Sequence, residues 1–267
     1  MKNYFLILLS SIFFLSLSCS SDYNDTIENN FTLPLRIGDY WIYNVNTENT
    51  LSRDSLFVQG EVVINNKSYM RFETKDNIAT GFYSSVLRNN KLRKDNSKLL
   101  LTGEVSLASI QNFPINLDVS IGDFVIFDSN AQNNQALNSS PVTGIINQTF
   151  DNYPLTITYT LQSYGGETFS SYTSPDGSTF SNVKSTKIKL KIGVTTVQNS
   201  GGISIPIIIL SPQDFVVSTL YLAEGIGVIY VNTNTTYTIN PLVSSDLGIP
   251  SSSSQNQKEY VDSYNIN

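Results

Sequence analysis

The chain has 267 residues, 40% hydrophobic, 11% aromatic and 14% charged, with 16 basic against 22 acidic side chains, a net charge of −6 and a sequence pI of about 4.6. Low charge and abundant Ser, Asn and Thr disfavour a coiled coil, the apolar content disfavours a disordered chain, and the acidity disfavours a general nucleic-acid binder. There is no histidine, which removes His general bases, His-containing catalytic triads and His metal ligands from consideration.

Lys2 precedes an apolar run from Tyr4 to Leu17. That run is too short to span a bilayer and has the length of a signal-peptide h-region. Ser18 and Cys19 follow, then Ser20, Ser21 and Asp22. Cys19 is the only cysteine, so no intrachain disulfide forms.

This arrangement resembles a bacterial lipoprotein signal peptide with its lipobox, of the looser kind found in the Bacteroidota phylum. The Leu that usually stands three before the Cys is displaced to Leu17, with Ser16 in its place. The resemblance implies a signal peptide over 1–18, a palmitate-type lipid on Cys19 and an outer-membrane, lipid-anchored location facing the periplasm or the cell surface. Ser20, rather than Asp, after the cysteine favours the outer membrane by the same resemblance. Two or more acyl chains give the stable anchoring that one does not. The polar stretch 19–31 reads as a flexible tether. Its Asp22, Asp25 and Glu28 read either as a solvated tether or as an acidic surface-export signal.

From 32 to 249 the pattern is strand after strand. Between Tyr153 and Tyr164, Leu155, Ile157, Tyr159 and Leu161 alternate with Thr156, Thr158, Thr160 and Gln162, one face for the core and one for water. Lys187, Lys189 and Lys191 alternate with Ile188, Leu190 and Ile192, and such a Lys row discourages edge-to-edge aggregation. Phe215–Leu222 is apolar on both faces and reads as a central strand. Asn65-Asn66-Lys67 predicts a hairpin, and Asn89-Asn90-Lys91 the same between Phe82–Leu87 and Leu92. Ser174-Pro175-Asp176-Gly177 and Asn199-Ser200-Gly201-Gly202 supply further turns. Val105 to Ile110 has room for a turn or two of helix, Ser129–Ser140 is a polar loop, and 250–267 reads as a low-complexity tail outside the domain. The expected fold is all-β, a single antiparallel domain built as an open half-barrel, barrel or sandwich of roughly 10 to 14 strands.

Ile37-Gly38-Asp39-Tyr40-Trp41-Ile42-Tyr43 is echoed by Ile121-Gly122-Asp123-Phe124-Val125-Ile126-Phe127. The echo reads as convergent turn-to-strand entries or as a duplicated unit. The segment Pro34-Leu35-Arg36-Ile37-Gly38-Asp39-Tyr40-Trp41-Ile42-Tyr43 resembles the Pro-Leu-x-x-Gly-x-x-Trp-x-Tyr opening of Bacteroidota lipoproteins that carry no established activity. Their late Tyr-x-Ala-x-Gly-x-Gly segment corresponds to Tyr221-Leu222-Ala223-Glu224-Gly225-Ile226-Gly227. The resemblance implies a secreted, lipid-anchored β fold and transfers no catalytic residue.

Motifs for catalysis are weak. Gly225-Ile226-Gly227 opens no helix, and Ser181-Asn182-Val183-Lys184 lacks its companion motifs. Glu61, Glu73, Glu104, Asp118 and Asp123 are possible members of a carboxylate pair, but spacing selects none. No catalytic residue, metal site or cofactor is therefore expected. Trp41 with Tyr40 and Tyr43 reads as a core anchor, in a strand that is largely apolar and so buried on both faces, or as a ligand-stacking platform. Arg88, Lys91, Arg93, Lys94 and Lys98 form a local basic patch that suits a solvated hairpin tip or an anionic partner. Asp25-Thr26-Ile27 and Asp54-Ser55-Leu56 resemble O-glycosylation sites of the phylum, at Thr26 and Ser55. The expected function is a lipid-anchored outer-membrane or surface protein displaying a non-enzymatic β domain for binding or envelope scaffolding. Its partners would be the membrane, through the anchor, and an envelope, glycan or lipid ligand, not nucleic acid. The alternatives are a lipid-handling half-barrel with a cavity lined by Leu, Ile and Phe, and a glycoside hydrolase with two opposed carboxylates.

Overall fold

The computed structural model describes residues 31–48, 50–88, 90–106, 117–150, 153–200, 202–241, 244–245 and 248–267. The elements are β1 (Tyr40–Thr47), β2 (Leu51–Ile64), β3 (Lys67–Thr74), α1 (Phe82–Leu87), β4 (Lys91–Asp95), β5 (Lys98–Ser106), β6 (Asp118–Asp128), β7 (Val142–Phe150), β8 (Tyr153–Thr173), β9 (Thr179–Ser200), β10 (Ile203–Ala223), β11 (Gly227–Thr238) and β12 (Ser252–Asn265). All twelve strands form one antiparallel sheet in the order β6-β5-β4-β3-β2-β1-β12-β11-β10-β9-β8-β7, curled into a nearly closed barrel. Two six-stranded meanders are thus joined by pairing β1 to β12. The expected all-β class, the single domain and the strands over Tyr153–Tyr164 and Phe215–Leu222 are all present.

Local chemistry explains the turns. Asn65 and Asn66 both take positive φ (50° and 60°), the conformation that a two-residue hairpin requires and that Asn tolerates. Gly177 (φ 93°) and Gly202 (φ 82°) do the same for the β8–β9 and β9–β10 hairpins.

Four expectations need correction. The segment 250–267 is not a tail: β12 lies between β1 and β11, with Tyr43 opposite Val261 and Tyr230 opposite Tyr260. The domain therefore extends past 249 to Asn265. Its polar composition hid it, because β12 spends its side chains on internal hydrogen bonds. Asn256 donates to the amide oxygens of Asn232 and Asn234, both at 2.6 Å. Phe82–Leu87 is a short helix, not a strand, held by capping groups from other strands. The Lys187–Lys191 row is not at an edge, since β9 sits between β8 and β10, and Lys189 pairs with Asp214 at 2.8 Å. Finally, β1 buries one face only: Asp39, Trp41 and Tyr43 point inward while Tyr40 is 40% exposed.

The 37–43 and 121–127 echo lands on unlike places. Gly38 turns (φ 91°) before β1, in mid-sheet, whereas in the second copy Asp123 takes the positive φ (50°) within β6, at the end of the sheet order. Val105 lies in β5, and residues 107–116 fall outside the described residues.

The barrel closes between β6 and β8 through the polar loop after β6. Loop residues continue the ladder of β8: Leu137 N donates to Ser163 O (3.0 Å), Asn134 N to Gly165 O (2.8 Å), and Gly165 N to Gln135 O (2.8 Å). On the other side the Asn138 side chain imitates a strand. Its Oδ1 accepts from Val125 N (2.9 Å) and its Nδ2 donates to Val125 O (3.0 Å) and Ser163 Oγ (2.8 Å). A loop rich in Asn thus satisfies two sheet edges that would otherwise expose backbone donors.

Candidate functional site

Three polar or concave regions compete as sites, and each is built by the alternation of the strands. The first is inside the bore. Tyr43 of β1, Asp54 of β2 and Glu259 of β12 are inward-facing and buried. Asp54 accepts from Thr80 N (2.9 Å), Thr80 Oγ1 (2.8 Å) and Gly81 N (2.7 Å). Glu259 accepts from Tyr83 N (2.6 Å), Ser84 N (3.2 Å) and Ser84 Oγ (2.9 Å). Gln257 accepts from Phe82 N. The unpaired N–H groups of the first turn of α1 are thus taken up by side chains of β2 and β12, which compensates the positive end of the helix. A Cβ on Gly81 would run into the Glu259 carboxylate, so only glycine fits between the acids and the helix. Burial pushes the Glu259 carboxyl up to about 7, against the pull of its hydrogen bonds to Tyr83 and Ser84. Burial likewise raises the Tyr43 and Tyr83 phenols; the Tyr43 hydroxyl donates to Val228 O at 2.7 Å.

Neither acid was a sequence candidate, since only the fold brings β2 and β12 to one helix. Both are spent on structure, which leaves them no open face toward a sugar. Beside α1 lies a cavity of about 50 Å³ lined by Phe82, Tyr83, Leu101, Phe124, Leu161, Leu190 and other apolar groups. The lining is of the kind a lipid carrier needs, but the volume is not. It falls well below the roughly 150 Å³ of an engineered cavity that holds benzene.

The second region is on the outer face. Asp123 of β6 accepts from Arg93 Nε (2.8 Å) and Nη2 (3.0 Å) of β4 and from Lys67 Nζ (2.7 Å) and Tyr69 Oη (2.7 Å) of β3. Asp123 N donates to Thr102 Oγ1 of β5 at 2.9 Å. Hydrogen bonds from Arg93 hold the Asp123 carboxyl well below the usual carboxylate range. A carboxylate candidate and a member of the basic patch are thus each other's partners, tying four strands together. The patch itself is dispersed. Arg93 also pairs with Asp95 (2.9 Å), and Arg88 Nη1 donates to Asn77 O. Lys91 is half-buried opposite Thr102, while Lys94 and Lys98 are exposed.

The third region is an open groove of about 640 Å³ at the end of the barrel where the chain enters. Phe31 packs on Phe127 (5.5 Å between centroids), Lys184 Nζ lies 5.8 Å from the Phe31 ring centroid, and Gly225 N donates to Thr32 O (2.8 Å). Residues 32–36 then form one wall, facing Ser68 and Met70 of β3 and Leu92 and Lys94 of β4. Asp39 secures this wall: its carboxylate accepts from Arg36 N (2.7 Å) and Asn267 N (2.9 Å). Leu33, Leu35, Met70, Leu92 and Ile266 make the floor apolar, and Arg36, Arg93 and Lys94 are the cations of the lining.

The aromatic platform does not exist. Trp41 is 4% exposed and Tyr43 is fully buried, so only Tyr40 meets solvent. Ser55 lies within β2 between Asp54 and Leu56, both buried, so the folded chain presents neither flank of that motif. Residues 1–30, with Cys19 and Thr26, lie outside the described residues, whereas Phe31, the last residue of the expected tether, is buried against Phe127 and belongs to the domain. Among the described residues no cluster of three His, Cys, Asp or Glu could hold a metal, and no helix is long and apolar enough to cross a membrane. The site and fold together define a nearly closed antiparallel barrel with a cavity of only about 50 Å³ beside α1 and an open, amphipathic groove at one end, among the described residues. No family model, curated protein or solved structure matches the chain.

Proposed function

We propose that the chain is a lipid-anchored protein of the outer envelope that binds an anionic amphiphile at the barrel end from which its tether leaves. The groove carries this reading: an apolar floor for hydrocarbon beside an exposed lysine, Lys94, that makes no ion pair among the described residues. The small volume of the cavity beside α1 supports binding at the surface over carriage in the interior. A lipid on Cys19 would bring the groove near the membrane, because a fully extended 19–31 segment spans only about 40 Å.

Two readouts test the parts separately. Fatty-acid labelling of the full chain should vanish in Cys19→Ser; unchanged labelling would remove the anchor. The unlipidated Cys19→Ser protein should cosediment with vesicles containing anionic lipid in preference to zwitterionic ones. Lys94→Glu should weaken that preference about tenfold or more, at roughly 1 kcal/mol per basic residue near an anionic surface. Equal binding to both vesicle types would refute the groove reading.

A further inference from the structure

A second surface lies at the far end of the barrel. The last pair between β11 and β12 is Thr238–Ser252, and Thr238 is joined to Gln213 of β10 by Gln213 Oε1, which accepts from Thr238 N (2.9 Å). Beyond Gln213, β10 continues to Ile203 and stays paired with β9, with register shifts between Gln213 and Leu210 and between Leu210 and Ile208. At about 3.3 Å per residue this is roughly 30 Å of further strand. β7 and the first half of β8 flank the same extension. Six exposed large apolar residues sit on it: Ile145, Tyr153, Val197, Ile203, Ile205 and Ile208.

The outer edge of this extension is β7, Val-Thr-Gly-Ile-Ile-Asn-Gln-Thr-Phe. It pairs with β8 over nine residues without a register shift and has no strand partner on its other side among the described residues. Natural edges of that length are usually blunted by Lys, Pro or a bulge. β7 has none of these and no charge of either sign. The opposite edge, β6, is met at Val125 by the side chain of Asn138.

We infer that β7 pairs antiparallel with β7 of a second copy about a two-fold axis through Ile146. In that register three of the five kinds of pair match like with like: Ile146 with itself, Val142 with Phe150 and Thr143 with Thr149. Ile146 meets its own counterpart, Val142 meets Phe150 and Gly144 meets Gln148 on the face now half-buried. Thr143 meets Thr149 and Ile145 meets Asn147 on the exposed face. Thr–Thr and apolar cross-strand pairs stabilise a sheet, and no like charges oppose one another. The interface is isologous and closes at two copies. A two-fold axis normal to the sheet reverses the barrel, so the two entry ends point away from each other. On the proposed anchored reading, paired copies would be tethered to two apposed surfaces rather than side by side on one.

The full chain, solubilised in detergent, tests this. Ile146→Cys should cross-link to itself under mild oxidation, with wild type as the control for Cys19. Thr143→Cys alone should not cross-link, whereas Thr143→Cys/Thr149→Cys should, because only the latter places two cysteines opposite. The wild type should have the mass of two chains. Ile145→Lys, at a position 67% exposed, should shift it to one chain with unchanged melting. A single-chain mass for wild type together with no Ile146→Cys cross-link overturns the inference, and cross-linking of Thr143→Cys alone overturns the register. These outcomes do not depend on the lipid. Clustering of vesicles bearing the lipidated chain depends on both, so dimer without clustering would count against the anchored reading only.

Discussion

Replacing Trp41 by alanine should destabilise the domain by about 3 to 5 kcal/mol, the cost of truncating a buried Trp. The indole is 4% exposed, stacks on Phe72 at 6.2 Å, and donates from Nε1 to Ile226 O at 2.6 Å. The β10–β11 turn is built around it, with Gly227 against the ring, so truncation leaves both a cavity and an unpaired carbonyl. For a domain of this size each kcal/mol shifts the melting temperature by about 2 to 4 °C, so a fall of roughly 10 °C is expected. Trp41 is the only tryptophan. Native emission should therefore be blue-shifted and poorly quenched by iodide. A mutant melting like wild type, with a quenchable indole, would contradict the buried position.

Stability should fall, not rise, as pH goes from 5 to 8. Burial raises Glu259 from 4.5 to about 7, so between those values the folded protein holds a proton that the unfolded chain has released. Proton binding then favours the folded state. The contribution is complete below about 4.5 and is lost as pH rises through about 7, amounting to at most about 3 kcal/mol. Asp123 works the other way, since its lowered value stabilises the fold above 3.8 and is lost only in stronger acid. The chain has no histidine to add a titration in this window. Urea midpoints at pH 5, 6, 7 and 8 should therefore decline. In Glu259→Gln the slope should flatten. The variant should also be weaker at every pH by about 1 to 3 kcal/mol, because an amide nitrogen would face backbone N–H donors. A wild-type midpoint that is flat or climbs over this range would rule the mechanism out.

The contrast between these two residues shows what a sequence carries. Trp41 could be read as a core anchor because large apolar residues crowd the start of β1, although Tyr40 and Ile42 made the second face look buried as well. So could β8, whose Leu155, Ile157 and Leu161 repeat every second residue, and the Asn65-Asn66 hairpin, whose backbone is set by the two residues themselves. Glu259 could not, since nothing near it in sequence says that Tyr83 and Ser84 will be its donors. β12 was missed for the same reason. Its Asn256, Gln257 and Glu259 look like a polar tail until β11 and α1 supply partners. Arg93 and Asp123 looked like a cation in search of an anionic ligand and an acid in search of a role, and the β4-β5-β6 meander turns them toward each other. The groove needs Leu33, Met70, Leu92 and Ile266 from four separate stretches, so no single segment announces it.

The pairing of β1 with β12 sets an order of events. β1 must wait for β12 before the sheet can curl round and α1 can receive Gln257 and Glu259. Such non-local contacts make folding slow relative to helical domains of similar size. On the proposed anchored reading, in which the chain is threaded across a membrane, this delay would be useful, because the barrel could lock only once β12 had followed β1 through.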